Sequence, residues 1–277
     1  MLFFFKKVSA RTLFALTLIS FIPPAYAIKY SQKTYQRKLK ETQIAAELYS
    51  FMAGIFSVRL EEKPASTVER GLIRVIEKTI SSHEAHFGFT PAQAAELILL
   101  EGNTYDSIDD PEIASGGFYA NKKIRMKIDL SKPESQLLGD FEKVFRHEYS
   151  HLVIASIGGG KVPRWLDEGL ATYLEKDATS RIRGEGRKFY QDHTKAGTLV
   201  PIEKFVKMDL NIQYRANIGD FYKQSYLYAK YLIDRYGFLK FRELLSALKE
   251  GSMNFTHAFP QVYGINLAQL EAGAYDS

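Results

Sequence analysis

His147 and His151 stand four residues apart, with Glu148 beside the first of them, in the run His147-Glu148-Tyr149-Ser150-His151. On a helix, positions i and i+4 share a face, so both imidazoles can aim a ring nitrogen at one ion. That is a two-point clamp of the kind that holds zinc. Glu148 cannot easily reach the same ion from the same helix. Its carboxylate can instead lie beside a water that the ion polarises and act as a base. After sixteen intervening residues, Trp165-Leu166-Asp167-Glu168-Gly169-Leu170-Ala171 offers Glu168 as a third ligand.

The elements that would bring these groups together can be read from the flanks. Phe141 to Arg146 and Leu152 to Ala155 read as one amphipathic helix through the motif, with no Pro or Gly until Gly158. Gly158-Gly159-Gly160 should break it, Val162-Pro163 reads as extended chain, and Trp165 to Glu175 reads as a second helix carrying Glu168. Helix, reversal and helix can deliver the third ligand to the same point. The competing account is a surface histidine pair with an ordinary acid near a helix start, where the macrodipole favours negative charge. The three-part spacing weighs against it. His83-Glu84-Ala85-His86 has the wrong spacing for such a clamp and reads as the polar end of a surface helix.

His147 to His151, taken with Pro163-Arg164-Trp165-Leu166-Asp167-Glu168-Gly169-Leu170-Ala171-Thr172-Tyr173-Leu174-Glu175, resemble the gluzincin zinc peptidases, in particular the bacterial peptidase MA-like group. The resemblance implies a zincin-like catalytic domain, a Zn2+ cofactor held by His147, His151 and Glu168, Glu148 as the catalytic base, and a peptide or protein substrate. The segment from Tyr222 to Gly237 is similar to the helix that, in related aminopeptidases, carries a tyrosine bonded to the transition-state oxyanion. That role falls on Tyr222, with Tyr226 as second choice. Tyr222, Tyr226, Tyr228, Tyr231 and Leu232 also fit an aromatic-rich buried helix. The likeness runs from about Phe141 to Tyr236 and more loosely from Ala258 to Leu267. Ser115 to Asn121 lacks the Gly-x-Met-x-Asn segment with which aminopeptidases of this type hold a free amine. An endopeptidase is therefore expected, with an aminopeptidase as the alternative within the same class. The alternative from another class is a catalytically silent binding module of the cell envelope. Retention of Glu148 beside all three ligands argues against it, since a structural zinc needs no base.

The remaining groups of each candidate site need supports. Each imidazole should give its second nitrogen to an acceptor, for which Glu175 and Asp167 are candidates, and Thr172 could orient Glu168 from one turn away.

Residues 1–27 read as a signal peptide: Lys6, Lys7 and Arg11 precede an apolar run from Thr12 to Ile22, and Ala25-Tyr26-Ala27 is a small-residue cleavage site. Its removal takes three of the 37 basic residues and none of the 32 acidic ones, leaving a net charge of +2. Charge thus makes no case for nucleic acid. The chain has no cysteine, which excludes disulfides, thiolate zinc sites and an anchor through an N-terminal cysteine. A periplasmic or secreted protein with no stable membrane span after signal cleavage is expected.

Residues 28–277 suffice for one large domain or two lobes round a cleft. Ser31 to Phe56 and Ser66 to His86 read as helices, Ala95 to Leu100 as a buried strand, and Asn121 to Leu130 as a half-exposed strand with basic residues on one face. Lysines on one face also protect a sheet edge, so the segment from Lys122 to Leu130 is expected to be the edge strand above the metal that pairs with substrate. Arg181 to Gly197 reads as a long loop, a surface connection or a cover for the cleft. The expected fold is α+β: a small mixed sheet with an edge strand over the cleft, to about residue 135, then a mainly helical metal-binding lobe from about 136 to 277.

Overall fold

The computed structural model describes residues 48–92, 95–108, 117–120, 123–176, 184–208, 218–250 and 254–276, all within one compact unit, Leu48–Ser277. The expected signal peptide at 1–27 and the part of the first expected helix from Ser31 to Glu47 lie outside the described residues.

The chain from Tyr49 onward is a hairpin, not the end of a helix: β1 (Tyr49–Ala53) pairs antiparallel with β2 (Phe56–Leu60). Leu48 and Met52 fit helical spacing, but Phe56, Val58 and Leu60 alternate buried with half-buried neighbours, the period of a strand. Gly54, at φ +54°, makes the turn. Helix α1 (Ser66–Phe87) then crosses over to β3 (Ala95–Glu101), which pairs parallel to β2. Its buried face runs through Leu72, Ile76, Thr79, Ile80, His83 and Phe87, and Gly88 ends it in the left-handed conformation. His83 is therefore a core residue rather than part of a polar surface end. Its Nδ1 meets the Thr79 carbonyl at 2.9 Å and its Nε2 the Ser150 hydroxyl at 3.0 Å.

A short helix, α2 (Gly102–Ile108), precedes β4 (Gly117–Ala120) and β5 (Lys123–Ile128), which are antiparallel to one another, while β5 runs parallel to β3. The sheet order is β1-β2-β3-β5-β4. The strand expected from Lys122 to Leu130 is thus internal as β5, and among the described residues the edge on this side is β4. The basic face of β5 has another reason: Lys123 pairs with Glu96 of β3 at 2.6 Å, and Arg59 of β2 reaches the same carboxylate at 3.2 Å. Those charges tie three strands across one face instead of guarding an edge.

The described chain after Pro133 is helical, as expected. Helix α3 (Glu134–Gly158) packs Phe141, Phe145 and Tyr149 on the sheet, with Phe56 edge-on to Phe145 and Tyr149 at 5.4 and 5.8 Å. It ends at Gly159, whose φ of +65° no β-carbon would favour, and a single 3-10 turn, Gly159–Lys161, reverses the chain. Helix α4 (Arg164–Glu175) follows directly on Pro163. The segment expected to be a loop from Arg181 to Gly197 contains α5 (Glu185–Ala196), an amphipathic helix that buries Phe189; residues 177–183 lie outside the described residues. Next come α6 (Ile202–Phe205), α7 (Ile218–Lys249, broken at Gly237), α8 (Phe255–Tyr263) and α9 (Leu267–Asp276). Trp165 of α4 is fully buried among Phe205, Tyr228 and Phe255. Gly169 lets α4 lie against α7, since a β-carbon there would overlap the Ser225 carbonyl. Among the described residues, no helix is long and apolar enough to cross a membrane.

Candidate metal centre

One turn of α3 separates His147 from His151, whose rings stand edge to face with centroids 4.9 Å apart. The reversal at Gly159 brings α4 back so that Glu168, only 1 % exposed, meets both. Glu168 Oε2 lies 3.3 Å from His147 Nε2 and 3.6 Å from His151 Nε2. One ligand atom from each of the three residues falls within 4.8 Å of the other two, a grouping that could hold a metal ion.

Whether a cation fits is decided by the other nitrogens and the other oxygen. His147 Nδ1 is 3.1 Å from Glu175 Oε2, and His151 Nδ1 is 2.7 Å from Asp167 Oδ1. Each carboxylate accepts a hydrogen bond from Nδ1–H, which leaves both Nε2 atoms facing the common point. Glu168 Oε1 pairs with Arg164, while Oε2 is buried without a hydrogen bond among the described residues. A buried carboxylate oxygen with no hydrogen bond is costly unless something positive faces it. Ligand atoms around a four-coordinate zinc lie roughly 3.3 Å apart, as bonds of about 2.0 to 2.2 Å require. The observed separations and the two-nitrogen, one-oxygen donor set therefore fit such an ion.

The protonation of the cluster follows the same charges. Burial opposes a charge on His147, yet Glu168 and Glu175 push its pKa up to about 10. Burial likewise opposes ionisation of Glu168, but the facing imidazoles and Arg164 hold it down to about 2. His151 is raised against its burial by Asp167. Glu148, only 6 % exposed, is raised by burial, partly offset by the two histidines. A carboxylate with increased proton affinity beside a cation site is suited to taking a proton from water.

Tyr222 of α7 is half-buried with its ring centroid 6.4 Å from that of His147. Burial first, then the charge of Glu168, keeps its hydroxyl protonated far above neutral pH. Tyr226, one turn on, is fully buried beneath the ammonium groups of Lys176 and Lys223, at 4.4 and 5.1 Å from its ring centroid. Thr172 does not orient Glu168: its buried hydroxyl makes no hydrogen bond among the described residues.

Two residues at the site escape the motif reading. Arg164 takes the role considered for Thr172; its signal is an arginine four residues before the glutamate, just ahead of the helix start expected at Trp165. Gly117 begins the edge strand against α3, where a β-carbon would stand 2.8 Å from Glu148 Cγ and from Val144 Cγ1, and 3.0 Å from Glu148 Oε1. A glycine in a segment without regular pattern gives no such warning in sequence.

No curated protein matches the chain. Residues 111–275 match the family profile of the Peptidase MA superfamily, a stretch that runs from just before the edge strand to the last helix and takes in every residue of the metal centre. Metal dependence is general in that superfamily, and the buried two-histidine, one-glutamate grouping agrees with it. Because the match spans more than half of the sequence, the chain belongs to the Peptidase MA superfamily of peptidases.

Proposed function

We propose that this protein is a zinc-dependent endopeptidase exported across the inner membrane by its first 27 residues. The observation that carries the reading is the buried Oε2 of Glu168, 3.3 and 3.6 Å from two imidazole nitrogens whose rings are held by carboxylates on their far sides. His147 Nε2, His151 Nε2 and Glu168 Oε2 would hold the ion. Bound there, zinc supplies Lewis acidity, which makes a water more acidic and polarises a peptide carbonyl.

The chain's own groups supply the rest. Glu148 accepts the proton of the attacking water on its carboxylate and passes it to the leaving amine nitrogen. Tyr222 donates its hydroxyl hydrogen to the carbonyl oxygen as negative charge develops. β4 lies against α3 beside Glu148, so a peptide that reaches this carboxylate would run along that strand. Nothing in that edge segment provides the amine-binding pattern of an aminopeptidase, so internal bonds are the expected target.

Metal content of the purified protein tests the centre first: about one zinc per chain is expected, lost in His151→Ala. A Glu148→Gln variant should keep its zinc and fold while losing roughly 10² to 10⁴ in kcat on peptides. Peptides blocked at the N-terminus by acetylation should be cut as readily as free ones. Zinc binding with no hydrolysis of any peptide in a broad library would favour a binding module instead.

A further inference from the structure

Arg164 is the first residue of α4, and one of its guanidinium nitrogens pairs with Glu168 Oε1. Its other terminal nitrogen is 3.6 Å from Asp167 Oδ2, whose partner oxygen, Oδ1, holds His151 Nδ1 at 2.7 Å. One side chain thus bridges the carboxylate proposed as third ligand and the carboxylate that orients the second. Arg164 itself is half-exposed, with 48 % of its side chain accessible.

Helix stability does not account for an arginine here. A positive charge in the first turn opposes the helix dipole, and a base placed before an acid at i and i+4 is the weaker order of that pair. Nor is this an ordinary surface pair, because its acid is 1 % exposed. A buried carboxylate has two oxygens to satisfy, and a two-pronged guanidinium occupies one of them in a fixed direction. The remaining oxygen is then the one that faces His147 and His151.

We infer that Arg164 is a positioning residue of the metal centre: it holds Glu168 Oε1, so that Oε2 alone is presented to the ion, and it ties that ligand to the Asp167–His151 pair. The inference rests on the zinc reading above. It concerns how the third ligand is held and is separable from whether the centre binds metal at all. Arg164→Met removes the charge and both donors at similar length. Arg164→Lys keeps the charge but replaces the fork with a single point of contact.

The test is zinc affinity of the metal-stripped full chain, measured by competition with a chromophoric chelator, together with the visible spectrum after reconstitution with Co2+. Loss of a partner that orients a ligand typically costs roughly 10 to 100-fold in metal affinity. Arg164→Met is expected in that range and Arg164→Lys between it and wild type, both with altered cobalt bands. A purely structural role would change the melting temperature without moving those bands. If Arg164→Met does not fold, Arg164→Lys decides the matter. Wild-type affinity with an unchanged spectrum in either folded variant overturns the inference. Failure of the wild type to bind one metal ion would instead overturn the zinc reading itself.

Discussion

In the proposed mechanism Glu148 and Tyr222 face opposite demands: one must take a proton near neutral pH and the other must keep its own. Burial raises both, and the neighbouring charges set how far. For Tyr222 the negative Glu168 adds to burial, so the phenol remains a donor throughout the range in which a peptidase would work. Tyr222→Phe should therefore lower kcat by roughly 10² to 10³ with little change in KM, the usual cost of one oxyanion donor. Tyr226→Phe should leave kcat close to wild type, because that hydroxyl sits in the core beneath two lysines. Steady-state kinetics on one peptide separates the two tyrosines. An equal loss in both would remove the distinction drawn between them.

At the scale of elements, close approaches decide the geometry. The edge strand touches the base: a methyl group on Gly117 would stand within 3.0 Å of Glu148 atoms, so either the carboxylate or the strand must move. Gly117→Ala is expected to keep its zinc yet lose roughly 10 to 100-fold in kcat, since small displacements of a reacting group are that costly. Metal content beside kcat checks it. Gly169 poses the other case, where the obstacle is backbone. Gly169→Ala would force α4 away from the Ser225 carbonyl of α7, an overpacking cost of about 3 kcal/mol. In a domain of this size such a loss lowers Tm by roughly 6 to 12 °C, readable by calorimetry.

The difference between what was legible and what was not also lies at this scale. His147, His151 and Glu168 were readable because the i, i+4 rule and a helix reversal leave few other arrangements. Asp167 and Glu175 stood in sequence only as candidate imidazole partners, assigned to neither ring, and the fold makes the bonds, at 2.7 Å to His151 and 3.1 Å to His147. Sheet order was not readable. Basic residues on one face of β5 look alike whether they guard an edge or meet Glu96 on the next strand, and only the long-range pairing chooses. The hairpin at Tyr49–Leu60 was hidden because a few apolar residues satisfied a helical period as well as an alternating one.

For the whole molecule, His83 couples stability to pH from the far side of α3. Burial holds its pKa down to about 4, against an ordinary value of 6.5, with the Thr79 carbonyl resisting only in part. Between those two values the unfolded chain binds more protons than the folded one, so stability falls as pH drops from 6.5 towards 4. The total is on the order of 3 kcal/mol, complete above pH 6.5 and lost by pH 4. Denaturant unfolding of metal-stripped protein across that range should show this slope, and His83→Gln should flatten it. The same slope in the variant would mean that other groups carry it.

Helix α4 is twelve residues long and contributes Glu168, both imidazole partners and Arg164. Arg164, Asp167, Glu168 and Glu175 fall along a single stripe of a helix, while Trp165, Leu166 and Gly169 occupy the side turned to the core. Four functions ride on one rigid rod, and a rod can only slide, tilt or spin. Errors at these positions are consequently correlated: a small rotation of α4 would misplace all four together. A shift of α4 should therefore weaken ligand, imidazole supports and guanidinium clamp in step rather than one at a time.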